Sequence, residues 1–367
     1  MHEQSKLLSP KMIIAVVLGS MTGGCATHTL SRSESVTLQP TICYERADGT
    51  WAVVVRGSVY QKSWLNRIEP HVVDWLERRK VFKTVAEGQT ADTRLALFLD
   101  DNPNGMILDV MVGASARPLA ASQGGRLGGT FVLTAEELTA CQSKATSSGW
   151  VSFPLRTARG DDRKFLCEAE VLQKRGLTIV SDIDDTIKIT DVNNTKLMLE
   201  NTFLVAYRPV PGMAEVYAAW QKEKGASFFY LSLTPVELYK PYSEFMWAVG
   251  YPKGAVDLHE IKWGRSRLKG FMELMDDDPE FKVGEVSALI DALPERDYVL
   301  VGDSSQHDPK AYADLAHKYP KQVKRILIHD VTCQGRDSPR YQETFGGLPP
   351  DLWQIFREAS EIRDAVR

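Results

Sequence analysis

Three aspartates crowd one short stretch, Asp182-Ile-Asp184-Asp185-Thr186, at the end of the apolar run Leu177 to Ile183. In an extended chain side chains alternate, so Asp182, Asp184 and Thr186 are expected on one side and Asp185 on the other. Carboxylates at the mouth of a buried strand are costly unless a cation or a reacting group compensates them. Such oxygen ligands suit Mg²⁺, which keeps several of its waters. A second apolar run ends in Val301-Gly-Asp303-Ser-Ser-Gln-His307-Asp308 and places two more acids just past a strand. Between them the run Phe228 to Ser232 ends in a hydroxyl, and Lys282 opens a helix that brings positive charge, with Lys269 as its rival. His307 reads as a loop residue beside the acids.

The elements that must position these groups follow from hydrophobic periodicity. After Gly176 the pattern alternates. Strands are expected at Leu177–Ile183, Ser227–Ser232, Tyr298–Val301 and Arg325–Ile328. Helices are expected at Met213–Lys224, Val236–Val249, Val283–Leu293 and Pro309–Lys318, with a terminal helix at Leu352–Val366. Alternation of this kind gives an α/β fold with a doubly wound parallel sheet, whose sites lie beyond the carboxyl ends of the strands. Residues 36–175 instead have short apolar runs bounded by turn residues, among them Trp51–Arg56, Leu95–Leu99 and Met106–Val112, with one helical stretch at Trp64–Lys80. That texture predicts a smaller, β-sandwich-like domain. The expected organisation is therefore 36–175 β-rich, 176–335 α/β, and 336–367 a C-terminal tail with a helix.

Ser181-Asp-Ile-Asp-Asp-Thr-Ile187, Tyr230-Leu-Ser-Leu-Thr-Pro-Val-Glu-Leu-Tyr239 and Leu300-Val-Gly-Asp-Ser-Ser-Gln-His-Asp-Pro309, taken in order, resemble the haloacid dehalogenase superfamily. Within it, residues 177–332 look like the catalytic domain of the actin-patch-associated phosphatidate phosphatases and their bacterial relatives. The middle string departs from that family, which usually has Ser-Asn-Ser-Pro-Trp where this chain has Ser232-Leu-Thr-Pro-Val236. The resemblance implies that Asp182 is the nucleophile forming an aspartyl-phosphate. It implies that Asp184 protonates the leaving alkoxide and then activates water. Ser232 and Lys282 would hold the transferring phosphoryl oxygens. Asp303 would bind Mg²⁺ with Asp182 and the main-chain carbonyl of Asp184, Asp308 would be a further metal candidate, and Thr186 would orient the acid. The implied activity is hydrolysis of phosphatidate to diacylglycerol. A soluble, nucleotide or protein phosphate is an alternative substrate, and a decayed, lipid-anchored interaction module is a reading from another class.

Composition narrows the field. Hydrophobic residues are 43% and charged residues 25% of the 367, as in a globular protein, and the formal net charge of −4 gives no basic field for nucleic acid. Met12 to Met21 is an apolar run behind Lys6 and Lys11, too short for the roughly 20 residues that span a bilayer. Followed by Gly23-Gly24-Cys25, it reads as an export signal over 1–25, resembling the lipoprotein cleavage box, with Cys25 acylated, 26–35 a tether and a periplasmic, membrane-anchored product; an ordinary cleaved signal with a soluble periplasmic or secreted product is the alternative. In that compartment Cys43, Cys141, Cys167 and Cys333 are either paired or buried as small apolar side chains. The basic and aromatic stretch containing Lys262, Trp263, Arg265 and Arg267 is a solvated loop or a contact for an anionic head group. In the superfamily that the chain resembles, members acting on small substrates carry a separate cap, and the connections 187–211 and 250–281 are too short for one. The resemblance therefore implies either an open site with a bulky or membrane-borne substrate or a β-rich domain that itself serves as the cap.

Overall fold

The computed structural model describes residues 29–61, 94, 97, 105–120, 125–142, 149–259 and 279–366. The export segment with Cys25, the expected helix Trp64–Lys80, nearly all of Leu95–Leu99, and the stretch with Lys262, Trp263, Arg265, Arg267 and Lys269 lie outside them.

The N-terminal region is built on a six-stranded sheet of β1 (Glu34–Gln39), β2 (Thr41–Glu45), β3 (Trp51–Gln61), β6 (Arg126–Leu133), β7 (Trp150–Pro154) and β8 (Leu166–Leu172). Its order is β1-β3-β2-β8-β7, with β6 also paired to β3. Strands β4 (Ile107–Val112) and β5 (Ser115–Ala120) form a separate ribbon. Their two-residue turn places Gly113 at φ 60°, where a glycine carries no Cβ penalty. Val53 and Val55 of the sheet share one apolar cluster with Leu108 and Val110 of the ribbon, so the region has two layers. The second layer is a two-stranded ribbon in the described residues, where a sandwich was expected. Helix α1 (Ala135–Gln142) was not anticipated. Its signal is Thr134-x-x-Glu137, in which the Thr134 hydroxyl accepts from Glu137 N–H (3.1 Å) and the Glu137 carboxylate from Thr134 N–H (3.0 Å), a reciprocal cap.

Residues from 177 onward form a mixed α/β unit around a wholly parallel six-stranded sheet. Its strands are β9 (Leu177–Asp182), β10 (Ser227–Pro235), β11 (Ala255–His259), β12 (Asp297–Asp303), β13 (Val323–His329) and β14 (Trp353–Phe356), in the order β11-β10-β9-β12-β13-β14. Both faces are apolar: Ile179, Val299 and Leu327 belong to one cluster, Val180, Leu300 and Ile326 to another. The first cluster takes side chains from α3 (Met213–Lys224) and α4 (Tyr239–Val249). The second takes them from α5 (Pro279–Ala292), α6 (Asp308–Lys318) and α7 (Pro339–Phe345). The short α2 (Thr195–Leu199) and the π-helical turn Glu200–Leu204 put Met198, Leu199, Phe203 and Leu204 into the first cluster, so the connection after Asp185 is part of the core.

The expected helix at Leu352–Val366 is instead β14 and a short 3₁₀ turn, Ala359–Ile362. The pairs Leu352-Trp353 and Ile355-Phe356 imitate helical spacing, but Trp353 and Phe356 belong to clusters on opposite faces of the sheet, as strand alternation requires. Cys43, Cys141, Cys167 and Cys333 form no disulfide with one another, and Cys43 and Cys167 are buried. Among the described residues no helix is long and apolar enough to cross a membrane.

A buried arginine fixes the junction between the two regions. The Arg296 guanidinium donates to the Gln173, Arg175 and Leu177 carbonyls at 2.8, 3.1 and 2.9 Å and to the Thr178 hydroxyl at 2.8 Å. Gly176 lies against it at φ 140°, where an added Cβ would come within 2.9 Å of the guanidinium. Arg296→Met leaves the buried Thr178 hydroxyl and three part-buried carbonyls without this donor, and a buried group left unpaired costs about 1–3 kcal/mol. Urea denaturation is expected to show a loss of about 1–3 kcal/mol; a loss below about 0.5 kcal/mol would mean that water replaces the guanidinium.

Candidate active site

The sheet delivers its acids at the carboxyl ends of neighbouring strands. Asp182 ends β9, Asp303 ends β12, Ser232 lies in β10, Asp308 begins α6, and Lys282 sits in the first turn of α5. All five are buried. Lys282 Nζ donates to Asp182 Oδ1 at 2.7 Å and also to Asp308 Oδ1. The second oxygen of Asp308 accepts from Asp303 N–H at 3.3 Å, and Asp303 Oδ1 accepts from the N–H and hydroxyl of Ser305. Oxygens of Asp182, Asp303 and Asp308 lie within 4.8 Å of one another.

The chain leaves the strand directly after Asp182. The N–H groups of Ile187 and Lys188 both donate to Ile183 O at 3.0 Å, closing a turn. Side-chain alternation therefore stops at Asp182, and Thr186 reaches back round the turn. It was expected to orient Asp184, but its hydroxyl donates to Asp182 Oδ2 at 3.0 Å. Asp185, at φ 57°, points the other way and accepts from the N–H groups of Thr190, Asp191 and Val192 at 2.7–2.8 Å, which pins the connection that follows.

Asp184 stands in a separate cluster. Its Oδ1 accepts from Lys188 Nζ (3.1 Å), Thr190 Oγ1 (2.7 Å) and Tyr242 OH (3.2 Å), and its Oδ2 from Ser232 Oγ and Thr234 Oγ1, both at 2.8 Å. Lys188 is fully buried, 5.1 and 5.2 Å from the ring centroids of Tyr207 and Tyr242, within cation–π range.

These surroundings push the two acids apart. Burial raises the Asp182 carboxyl above its ordinary value; Lys282 pulls it down, but Asp308 and Asp184 add to the rise. Burial likewise lifts Asp303 well above its ordinary value, reinforced by Asp308 and Asp182. Burial would lift Asp184 too, yet the Lys188 ammonium and the hydroxyls of Thr190, Ser232 and Thr234 hold it at about 2. Lys282 would be lowered by burial, but Asp182, Asp308 and Asp303 outweigh that and keep it a cation. Three buried acids share one ammonium, and burial together with like charge raises Asp182 and Asp303. An all-oxygen donor set of this kind fits a hard divalent cation.

Sequence reading named the acids, Ser232 and Lys282; the structure brings Asp182, Asp303, Asp308 and Lys282 together and sets Ser232 with Asp184 in the second cluster. It missed Lys188, Thr190, Thr234 and Tyr242. A signal for Lys188 was available, since a single charge inside the β-branched run Thr186-Ile-Lys-Ile-Thr190 must find a partner when buried. It also missed Arg340 of α7, beyond residue 335, which donates to the Ser304 and Gln306 carbonyls at 2.6 and 2.9 Å and braces the loop between Asp303 and Asp308. Gly302 is required by close approach: an added Cβ would lie 2.3 Å from Asp308 Oδ2 and 2.8 Å from the Tyr312 ring.

Residues 177–330 match the family model described as phosphatidate phosphatase APP1, catalytic domain. The chain is 27% identical over 178 residues to phosphatidate phosphatase APP1 of Saccharomyces cerevisiae, covering 48% of this chain and 29% of that one. It is 25% identical over 205 residues to an uncharacterized protein of Schizosaccharomyces pombe, covering 55% of this chain and 33% of that one. The matches thus span about a third of these relatives' length.

Gly302→Ala is expected to displace the Asp308 carboxylate while leaving the fold intact. Divalent-cation affinity, measured by calorimetry, should fall by about tenfold or more. Unchanged affinity would show that Asp308 is no part of the cation site.

Proposed function

We propose that this protein, whose residues 177–330 match the phosphatidate phosphatase APP1 catalytic-domain model, is a Mg²⁺-dependent phosphomonoesterase that converts phosphatidate to diacylglycerol. The observation that carries this reading is the buried group of Asp182, Asp303, Asp308 and Lys282 at adjacent parallel strand ends. That arrangement, with apolar clusters on both sheet faces, supports a doubly wound, haloacid dehalogenase-like domain.

Asp182 supplies an oxygen that attacks phosphorus, and the bond from phosphorus to the leaving alkoxide breaks. Lys282 already touches Asp182 and holds a phosphoryl oxygen beside it. Asp184 rests ionised, so the proton it hands to the alkoxide arrives with the monoanionic ester and passes through Asp184. Ser232 gives its hydrogen bond to Asp184 in the resting state; when it turns to a phosphoryl oxygen, Thr234 remains on the same carboxylate oxygen. In the second step water attacks phosphorus, Asp184 takes its proton, and the bond to Asp182 breaks to release inorganic phosphate. Asp182, Asp303 and Asp308 would hold Mg²⁺, joined by the Asp184 main-chain carbonyl. Mg²⁺ there supplies neutralisation of the charge on the phosphoryl oxygens.

The connection after Asp185 is folded into the core, which supports a site open to a substrate presented at a surface. We infer from the opening sequence that acylated Cys25 keeps the protein at the periplasmic membrane, near a phosphorylated lipid, and that the stretch with Lys262, Trp263, Arg265 and Arg267 meets the head group.

Asp182→Asn keeps the volume and removes the nucleophile, so phosphate release from dispersed phosphatidate with Mg²⁺ is expected to fall by about 10³-fold or more. Activity above about a tenth of wild type would show the nucleophile to be misassigned. On the same Mg²⁺-loaded protein, kcat/KM for dispersed phosphatidate should exceed that for glycerol 3-phosphate, and the opposite preference would remove the lipid reading. Cys25→Ser should shift the protein from membrane to soluble fractions; a fully membrane-bound, processed product would exclude lipidation.

A further inference from the structure

Arg56 belongs to the N-terminal sheet, yet its guanidinium bridges two elements that carry the active site. Nη1 pairs with Asp257 of β11, and Nη2 pairs with Glu285 of α5 at 2.6 Å. Asp257 is buried and stands in register with Leu231, the residue before Ser232. Glu285 follows Lys282 by three positions, close to one helical turn, and therefore lies near it on the helix. The same turn contains Gly284, where an added Cβ would meet open space and where glycine weakens a helix by about 1 kcal/mol relative to alanine.

The rest of α5 is held by packing. Val286, Leu289 and Ile290 lie in one apolar cluster with Ile42, Tyr44 and Ala52 of the N-terminal sheet. The turn bearing Lys282 packs Phe281 and Val283 against the same cluster and is held by charge as well: Lys282 on Asp182 and Asp308, Glu285 on Arg56. Removal of Arg56 takes away the guanidinium that pairs with both Asp257 and Glu285, and the repulsion between the two carboxylates then favours a displaced α5.

We propose that Arg56 is a positioning residue for the phosphoryl-holding groups, which makes the N-terminal sheet a working part of the active site. One guanidinium sets the spacing between the strand beside Ser232 and the helical turn of Lys282. This rests on the reading that Lys282 and Ser232 hold the phosphoryl group.

The test uses the full chain with Mg²⁺ and phosphatidate, comparing R56M, R56K, E285Q, K282M and the double variant R56M/K282M. R56M is expected to lower kcat by about tenfold with little change in KM, because a small misplacement of a transition-state contact acts on turnover. R56K restores part of the loss, since it keeps the charge and lacks the fork that reaches both carboxylates. E285Q, at a partly exposed position, should lower kcat in the same direction. In the K282M background, R56M should cost nothing further. Wild-type turnover in R56M beside an impaired K282M overturns the proposal. So does an equal loss from R56M in both backgrounds, which would mean a general loss of stability. Wild-type turnover in K282M instead overturns the reading of Lys282 on which the proposal rests.

Discussion

The concentration of negative charge at the ends of β9 and β12 is the constraint from which the rest of the site follows. Asp182, Asp303 and Asp308 are buried around one ammonium, that of Lys282. Such a group is tolerable only when nearly every oxygen has a donor, and here the donors are built in: Thr186 on Asp182, Ser305 on Asp303, the Asp303 N–H on Asp308. Space is equally constrained, and Gly302 has no side chain because Asp308 occupies that volume. The wholly parallel sheet matters for the same reason, since it brings all its carboxyl ends to one side.

Two carboxylates separated by a single residue end in opposite electrostatic states. Asp182 is raised by burial and like charge, whereas Asp184 is held low by Lys188 and a ring of hydroxyls. Environments that separate neighbouring acids in this way are how one site obtains two chemical roles from one residue type. The turn after Asp182 produces the separation by sending the second acid towards β10 and α4.

The helix Met213–Lys224 and the acid-bearing strand ends were legible because each has one strong periodicity and a clear terminus. Leu352–Val366 was not, because paired apolar residues fit both helix and strand, and only packing on two sheet faces decides between them. Thr186, which the resemblance implied would orient the general acid, instead donates to Asp182, because the strand ends there and the turn brings its hydroxyl back. Arg56 and Arg340 were invisible for a different reason: each acts on loop or helix residues remote in sequence, and periodicity carries no information about such pairs. The pairing of β2 with β8 across the whole N-terminal region belongs to the same class.

The strand order β11-β10-β9-β12-β13-β14 has a temporal consequence. Strand β9 is the first of its sheet to leave the ribosome, yet both of its partners, β10 and β12, are made later. Until they arrive, an apolar strand ending in Asp182 has no ladder to join, and such waiting strands are where chains aggregate. The N-terminal sheet can close as soon as β8 pairs with β2, and β9 follows it within a few residues, beside surfaces such as Ile42, Tyr44 and Leu172 that later share the catalytic core. A nascent chain would thus find a finished apolar platform next to its most exposed strand, so that the N-terminal region chaperones in cis the strand that carries the nucleophile.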